Sequence, residues 1–240
     1  MAEINFSNLK DLPMSGRKAL TPVRLTSDGA NETLWAGRDG SLVTLPWKQA
    51  LVLEGRCFMF TVGTLSTAIT GGGNGTILDL DQPEALISVP AGTAIMPLCV
   101  AVQTNCPAAI TDNDITQILL CLDKDYKWNA DGTSTTETAL NMRTDMPRAS
   151  ACACQSAFTA DMLSSSGSDT THHMDLCRVE TKAEVAANGS VIADAKMLYA
   201  PEPAPIIVGP ALLTLYWGGT AAITGYAQLF WAEFSKNEVV

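Results

Sequence analysis

The sequence predicts an all-β fold of the sandwich type, and three observations point there. About ten to twelve short apolar runs, rich in β-branched and aromatic residues, follow one another along the chain. Such residues suit a pleated, half-buried surface. Gly, Pro, Asn and Asp clusters separate the runs at short intervals, as turns require. No stretch repeats its apolar residues convincingly with the period of an amphipathic helix. The length of 240 residues fits one large all-β domain. No fixed-period repeat is present, which argues against a propeller or a solenoid.

The strongest stretch is residues 206–234, IIVGPALLTLYWGGTAAITGYAQLFWAEF. Two long apolar runs flank the break Gly218-Gly219-Thr220, and glycines there allow the positive φ angles of a hairpin turn. We expect a long antiparallel hairpin, central in its sheet because it is apolar on both faces in places. Two buried helices would be the rival, but Gly209-Pro210 and Gly225 oppose it.

The other elements follow in order. Residues 1–48 read as an extended arm and 49–240 as the body. Pro13, Gly16, Pro22, Gly29, Gly37 and Gly40 punctuate the arm, and Trp35 and Trp47 would anchor it. Residues 57–62, CFMFTV, form a firm strand candidate. Residues 71–75, GGGNG, suggest a flexible turn; a phosphate cradle is excluded because no Gly-Lys-Ser/Thr follows. Residues 85–102 read strand–turn–strand about Pro90-Ala91-Gly92, with a bulge or strand start at Pro97. Residues 115–125 lean to strand over short helix. Weaker strands are expected at 138–146, 149–159 and 173–181. Asn188-Gly189 signals a hairpin into 190–199. Pro201, Pro203 and Pro205 make a stiff connector.

Composition narrows the function. Hydrophobic residues make up 47% and charged residues only 17%, well below the roughly 25% of an average soluble domain. Self-association would cover such a surface. Net charge is −10. Residues 1–48 carry Lys10, Arg17, Lys18, Arg24, Arg38 and Lys48 against Glu3, Asp11, Asp28, Glu32 and Asp39, a net of +1 that leaves the body at −11. No basic arm is present, so direct nucleic-acid binding is not expected. The first ten residues do not read as a signal peptide, and no apolar run is long enough for a membrane span. The sequons at Asn5, Asn31, Asn74 and Asn188 are then idle. Seven cysteines (Cys57, Cys99, Cys106, Cys121, Cys152, Cys154, Cys177) are an odd number. They read as free thiols packed among apolar residues in a reducing cytosol.

Chemistry-bearing groups are few. His172 and His173 adjoin Asp175 and Cys177 in HHMDLC, and on a regular strand His173, Asp175 and Cys177 would share one face. The run lacks a zinc-site spacing, and a polar loop entering a strand is the plainer reading. Cys152 and Cys154 would share a strand face without forming a redox C-x-x-C. The pairs Asp79/Asp81, Asp112/Asp114 and Asp123/Asp125 are acidic; the last departs from an EF-hand loop in lacking its central Gly and terminal Glu. No nucleophile elbow or H-E-x-x-H occurs. We therefore expect no enzyme and assign no catalytic, cofactor-binding or metal-binding residue. A sandwich hydrolase would need convergent carboxylates in a cleft, and the sequence singles out no such pair.

The Pro/Gly-rich arm, the segment ISVPAGTAIMPLCV (residues 87–100) and the closing YAQLFWAEF (residues 226–234) together resemble jelly-roll virion structural proteins, in particular phage capsid-associated or decoration proteins. The resemblance implies a jelly-roll-like antiparallel β-sandwich, homo-oligomers (often trimers), contacts with other virion proteins, and a place in the virion after synthesis in the host cytoplasm. The alternative is a receptor- or glycan-binding module of a phage fibre. Deleting residues 1–48 should weaken assembly and spare the fold of the body; mass in solution and thermal melting of the shortened chain check both halves.

Overall fold

The computed structural model describes residues 46–72, 78–105, 114–124, 133–145, 148–159, 174–183 and 194–239. Within them lie thirteen strands: β1 (Cys57–Val62), β2 (Ile69–Thr70), β3 (Ala85–Val89), β4 (Thr93–Asn105), β5 (Ile115–Asp123), β6 (Thr135–Glu137), β7 (Leu140–Asn141), β8 (Ala153–Ser156), β9 (Met174–Lys182), β10 (Lys196–Tyr199), β11 (Ile207–Val208), β12 (Ala211–Gly219) and β13 (Thr224–Ser235). Two short helices, α1 (Trp47–Leu53) and α2 (Lys236–Val239), lie near the ends of the body. No helix among the described residues is long and apolar enough to cross a membrane.

The strands form two antiparallel sheets packed face to face, so the predicted all-β sandwich is what the chain builds. The first sheet has the order β10-β4-β13-β1-β7, with β11 beside β4 and β2 beside β13. The second has the order β6-β8-β3-β12-β5-β9. Eight strands make a nested set. In chain order the first, β1, pairs with the last, β13; β3 pairs with β12; β4 pairs with β10; and β5 pairs with β9. Two further ladders, β4 with β13 and β5 with β12, close each sheet around its centre. The short strands β6, β7 and β8 extend both sheets on one side.

The closing pair corrects the sequence reading. β12 and β13 are both central, but in opposite sheets, and they do not make a hairpin ladder. The same holds for β3 and β4 across Pro90-Ala91-Gly92, where Gly92 takes φ +86°. Corners that change sheet are needed because one apolar strand face must reach each layer. The bulge expected near Pro97 is present: Pro97 faces Trp231 and Cys99 faces Phe230, leaving Leu98 over. The strand reading of residues 115–125 holds for Ile115–Asp123. Strand β10 pairs with β4, across the sandwich from β9; Asn188-Gly189 lies outside the described residues. Helix α1 was not foreseen. It takes in Trp47 and Lys48, which the sequence reading gave to the arm, and Lys48 reaches Glu202 at 2.7 Å. A deletion that respects this helix stops at residue 45.

Alternation explains the core. Phe58, Phe60 and Val62 of β1, Ala227, Leu229 and Trp231 of β13, and Leu213, Leu215 and Trp217 of β12 point inward and are fully buried. Trp231 stacks near Phe58 at 6.1 Å and meets Phe60 edge-on at 6.0 Å, the geometry aromatic quadrupoles favour. The outward residues Cys57, Ala94, Met96, Ala232 and Phe234 are covered by Leu51 of α1. Replacing Leu213, 1% exposed, by Ala should cost about 2–5 kcal/mol through lost burial and a cavity. Replacing Leu198, 74% exposed, should change stability by no more than about 0.5 kcal/mol. Chemical denaturation of both variants checks the contrast.

Candidate functional site

Two buried carboxylates, Glu84 and Glu233, are the most unusual chemical groups among the described residues, 3% and 1% exposed. Neither was singled out from the sequence. The signal was present in both cases: Glu84 directly precedes the apolar strand ALISV, and Glu233 sits inside FWAEF. A charge inside an apolar run must find partners or neutralise.

Glu84 lies at the start of β3, in the second sheet. Its carboxylate accepts the backbone N–H of Gly72 and, at 2.9 Å, that of Trp217 in β12. The segment carrying Gly71 and Gly72 follows β2, which belongs to the first sheet. Glu84 thus fastens a first-sheet segment to a second-sheet strand. Space requires glycine at residue 71 and crowds any side chain at residue 72. A Cβ on Gly71 would stand 2.2 Å from the Trp217 carbonyl oxygen, and one on Gly72 3.3 Å from Glu84 Oε1. The Gly71 N–H also donates to Ile223 at 2.7 Å. So Gly71 and Gly72 are packing residues; Gly73, Asn74 and Gly75 lie outside the described residues. The Gly72 amide already serves the chain's own carboxylate.

Burial pushes the Glu84 carboxyl up to about 8. The Gly72 and Trp217 N–H groups pull it down, and the nearby charge of Asp79 adds to the rise. None of the groups acting on it is cationic, so desolvation dominates.

Glu233 sits at the far end of β13, in the first sheet. It accepts from the Ser150 hydroxyl, from the Ala151 N–H at 3.0 Å and from the Trp231 indole N–H at 3.0 Å. Residues 150 and 151 lead into β8 of the second sheet, so this carboxylate also ties the two layers. Cys152 and Cys154 point into the core beside it, as the strand alternation predicted. Burial raises both thiols, and the Glu233 charge adds to that, which leaves them unreactive as nucleophiles.

The remaining predicted groups scatter. Asp175 and Cys177 do not share a face. A bulge leaves Leu176 over, so Asp175 faces Cys121 while Cys177 faces Leu120. Cys121, on the outer side, donates weakly to Asp175 at 3.5 Å. His172 and His173 lie outside the described residues, as do Asp112, Asp125 and Cys106. Asp79 Oδ1 accepts the Asp81 N–H at 3.1 Å in a local turn. Asp114 accepts the Thr220 hydroxyl at 2.8 Å. Asp123 is buried at the end of β5. No group of three or more potential metal-ligating side chains converges among the described residues. Glu84 and Glu233 stand at opposite ends of the sandwich, each with its acceptors engaged by the chain. Together they form no acid–base pair of the kind glycoside hydrolysis needs.

The pH dependence of stability follows from Glu84. Its folded pKa lies above its ordinary value, so its protonated form favours the fold. That contribution is complete below about pH 4 and is lost as pH rises through about 8. Unfolding free energy should therefore decline across this window. In Glu84→Gln the decline should flatten. The amide oxygen can accept only one of the two N–H groups, so stability at pH 5 should also fall by about 1–3 kcal/mol. Denaturation curves of both chains at pH 5 and pH 8 check slope and offset separately.

No family model, no curated protein and no solved structure matches this chain.

Proposed function

We propose that the chain is a virion structural protein, a jelly roll that assembles with copies of itself into a capsid, a capsid decoration or another particle component. The observation that carries this reading is the nested pairing: first strand with last, second with seventh, third with sixth, fourth with fifth. A long antiparallel hairpin, rolled so that its corners alternate between two layers, gives that order. In this reading the order is that of a jelly roll, the double Greek key of viral capsid and lectin domains. Fold alone does not select a function. Three further features favour assembly: a composition poor in charge, a first sheet whose strands carry almost none, and the 46 residues ahead of α1. Each carboxylate fastener is internal, so the roll is a rigid building block in this reading.

Light scattering at physiological salt tests the proposal. A stable closed oligomer, with a trimer the favoured size, is the expected outcome. A monodisperse monomer that binds glycans on an array would overturn it in favour of a receptor-binding module.

A further inference from the structure

Of the two sheets, the first carries fewer charged residues on its strands. Its seven strands carry only two charged residues, Lys196 on the edge strand β10 and Glu233, which is turned into the interior. Cross-strand partners share a face, so the register defines the exposed rows. One row runs Cys99, Phe230, Met59, Leu140 across β4, β13, β1 and β7. The neighbouring row runs Leu198, Ala101, Gln228, Thr61. Leu140 is 60% exposed, and the other three residues of the first row are partly exposed. The second sheet differs. Its strands carry Asp123, Glu137, Asp175, Arg178, Glu180 and Lys182.

We infer that the outer face of the first sheet, centred on the Met59–Phe230–Leu140 row, is the surface through which a second copy of this chain docks. The inference deepens the assembly reading above and rests on it. Size supports it. The five ordered strands span about 20 Å at the usual strand spacing. With α1 covering one end, and with β1, β7 and β10 shorter than β4 and β13, about 400 Å² of sheet is left open. Trp47 and Leu53 stand exposed on α1 beside it and extend the tract towards the roughly 800 Å² per partner of a stable interface. Charge supports the choice of partner. Two copies each at −10 repel one another, and that repulsion is weakest where the nearly uncharged strands of the first sheet meet.

The test uses the full chain and places charge at two exposed points of the face, Leu140→Glu with Gln228→Glu. Both side chains are exposed in the single chain, so the fold should survive; an unchanged melting temperature at low protein concentration checks this. Lys182→Glu on β9 is the control. Expected are an assembled wild type, an assembled control and a monomeric double variant in which Cys99 reacts with a thiol reagent severalfold faster than in the wild type. If the double variant assembles like the wild type, this face is not the interface, while self-assembly itself stands. If the wild type is a monomer, the assembly reading falls and this inference with it. If the double variant is a monomer in which Cys99 stays as protected as in the wild type, the chain's own residues cover the face and the second copy does not.

Discussion

The structure depends on the chain's ability to change sheets at tight corners. β12 and β13 are joined by only residues 220–223, yet they sit in opposite layers. Such a corner needs close backbone approach. A Cβ on Gly219 would come within 2.5 Å of the Ile115 carbonyl oxygen. The Thr220 hydroxyl takes the Ile115 N–H at 3.0 Å and gives its own hydrogen to Asp114. At the other end, the β3–β4 corner meets the start of β12. Here a Cβ on Gly209 would stand 2.1 Å from the Pro90 carbonyl oxygen, and the Gly209 N–H donates to Thr93 at 2.9 Å. With both corners in place, the inward alternation of each strand faces the other layer. The Trp231–Phe58–Phe60 cluster then forms without any helix.

A sandwich closed this way leaves backbone groups at its two ends that no ladder satisfies, and such groups are costly when buried. Glu84 and Glu233 meet that need at opposite ends. Each carries two acceptor oxygens on a short flexible stem, so it can take donors from segments that belong to different sheets. At Glu233 the donors include an indole, which fixes the Trp231 ring that fills the core. At Glu84 they are backbone amides, and the Trp217 indole donates separately to Ile69 at 3.2 Å. The sheets are therefore joined by packing through the middle and by polar fasteners at the ends. Removing one fastener exposes the unmet donors of two segments together.

Much of this was legible in the sequence, for a physical reason. Period-two burial and β-branched composition mark strands locally, and Cys57–Val62 appears with the expected bounds. Sheet membership is not local. The runs 211–219 and 224–235 are apolar on both sides, so nothing in them says which layer each joins; that depends on partners more than 80 residues away, such as Leu86 for Thr214. Bulges are hidden for a similar reason. Leu176 shifts the parity of β9 only because its partner β5 has one residue fewer in register, and this separates Asp175 from Cys177. Helix α1 escaped because its seven residues complete too few turns for a period to show. Glu84 and Glu233 were visible as charges in apolar context, but their donors come from segments far away in sequence, and a lone carboxylate does not announce them.

The two faces of the sandwich follow from how each edge is protected. An exposed edge strand invites pairing with another chain unless it is charged, bulged or covered. β9 is charged along its length and bulged beside Cys121. It therefore blunts the edge of the second sheet, where Asp123 is also carried. In the first sheet β10 is short and β11 shorter still, and β10 opens on the exposed Lys196, so short length and one lysine do the blunting. The face between those edges is then free to stay uncharged. Low overall charge is thus not spread evenly over the chain. The strands of the first sheet carry two charged residues and those of the second six, four acidic and two basic, most of them on β9.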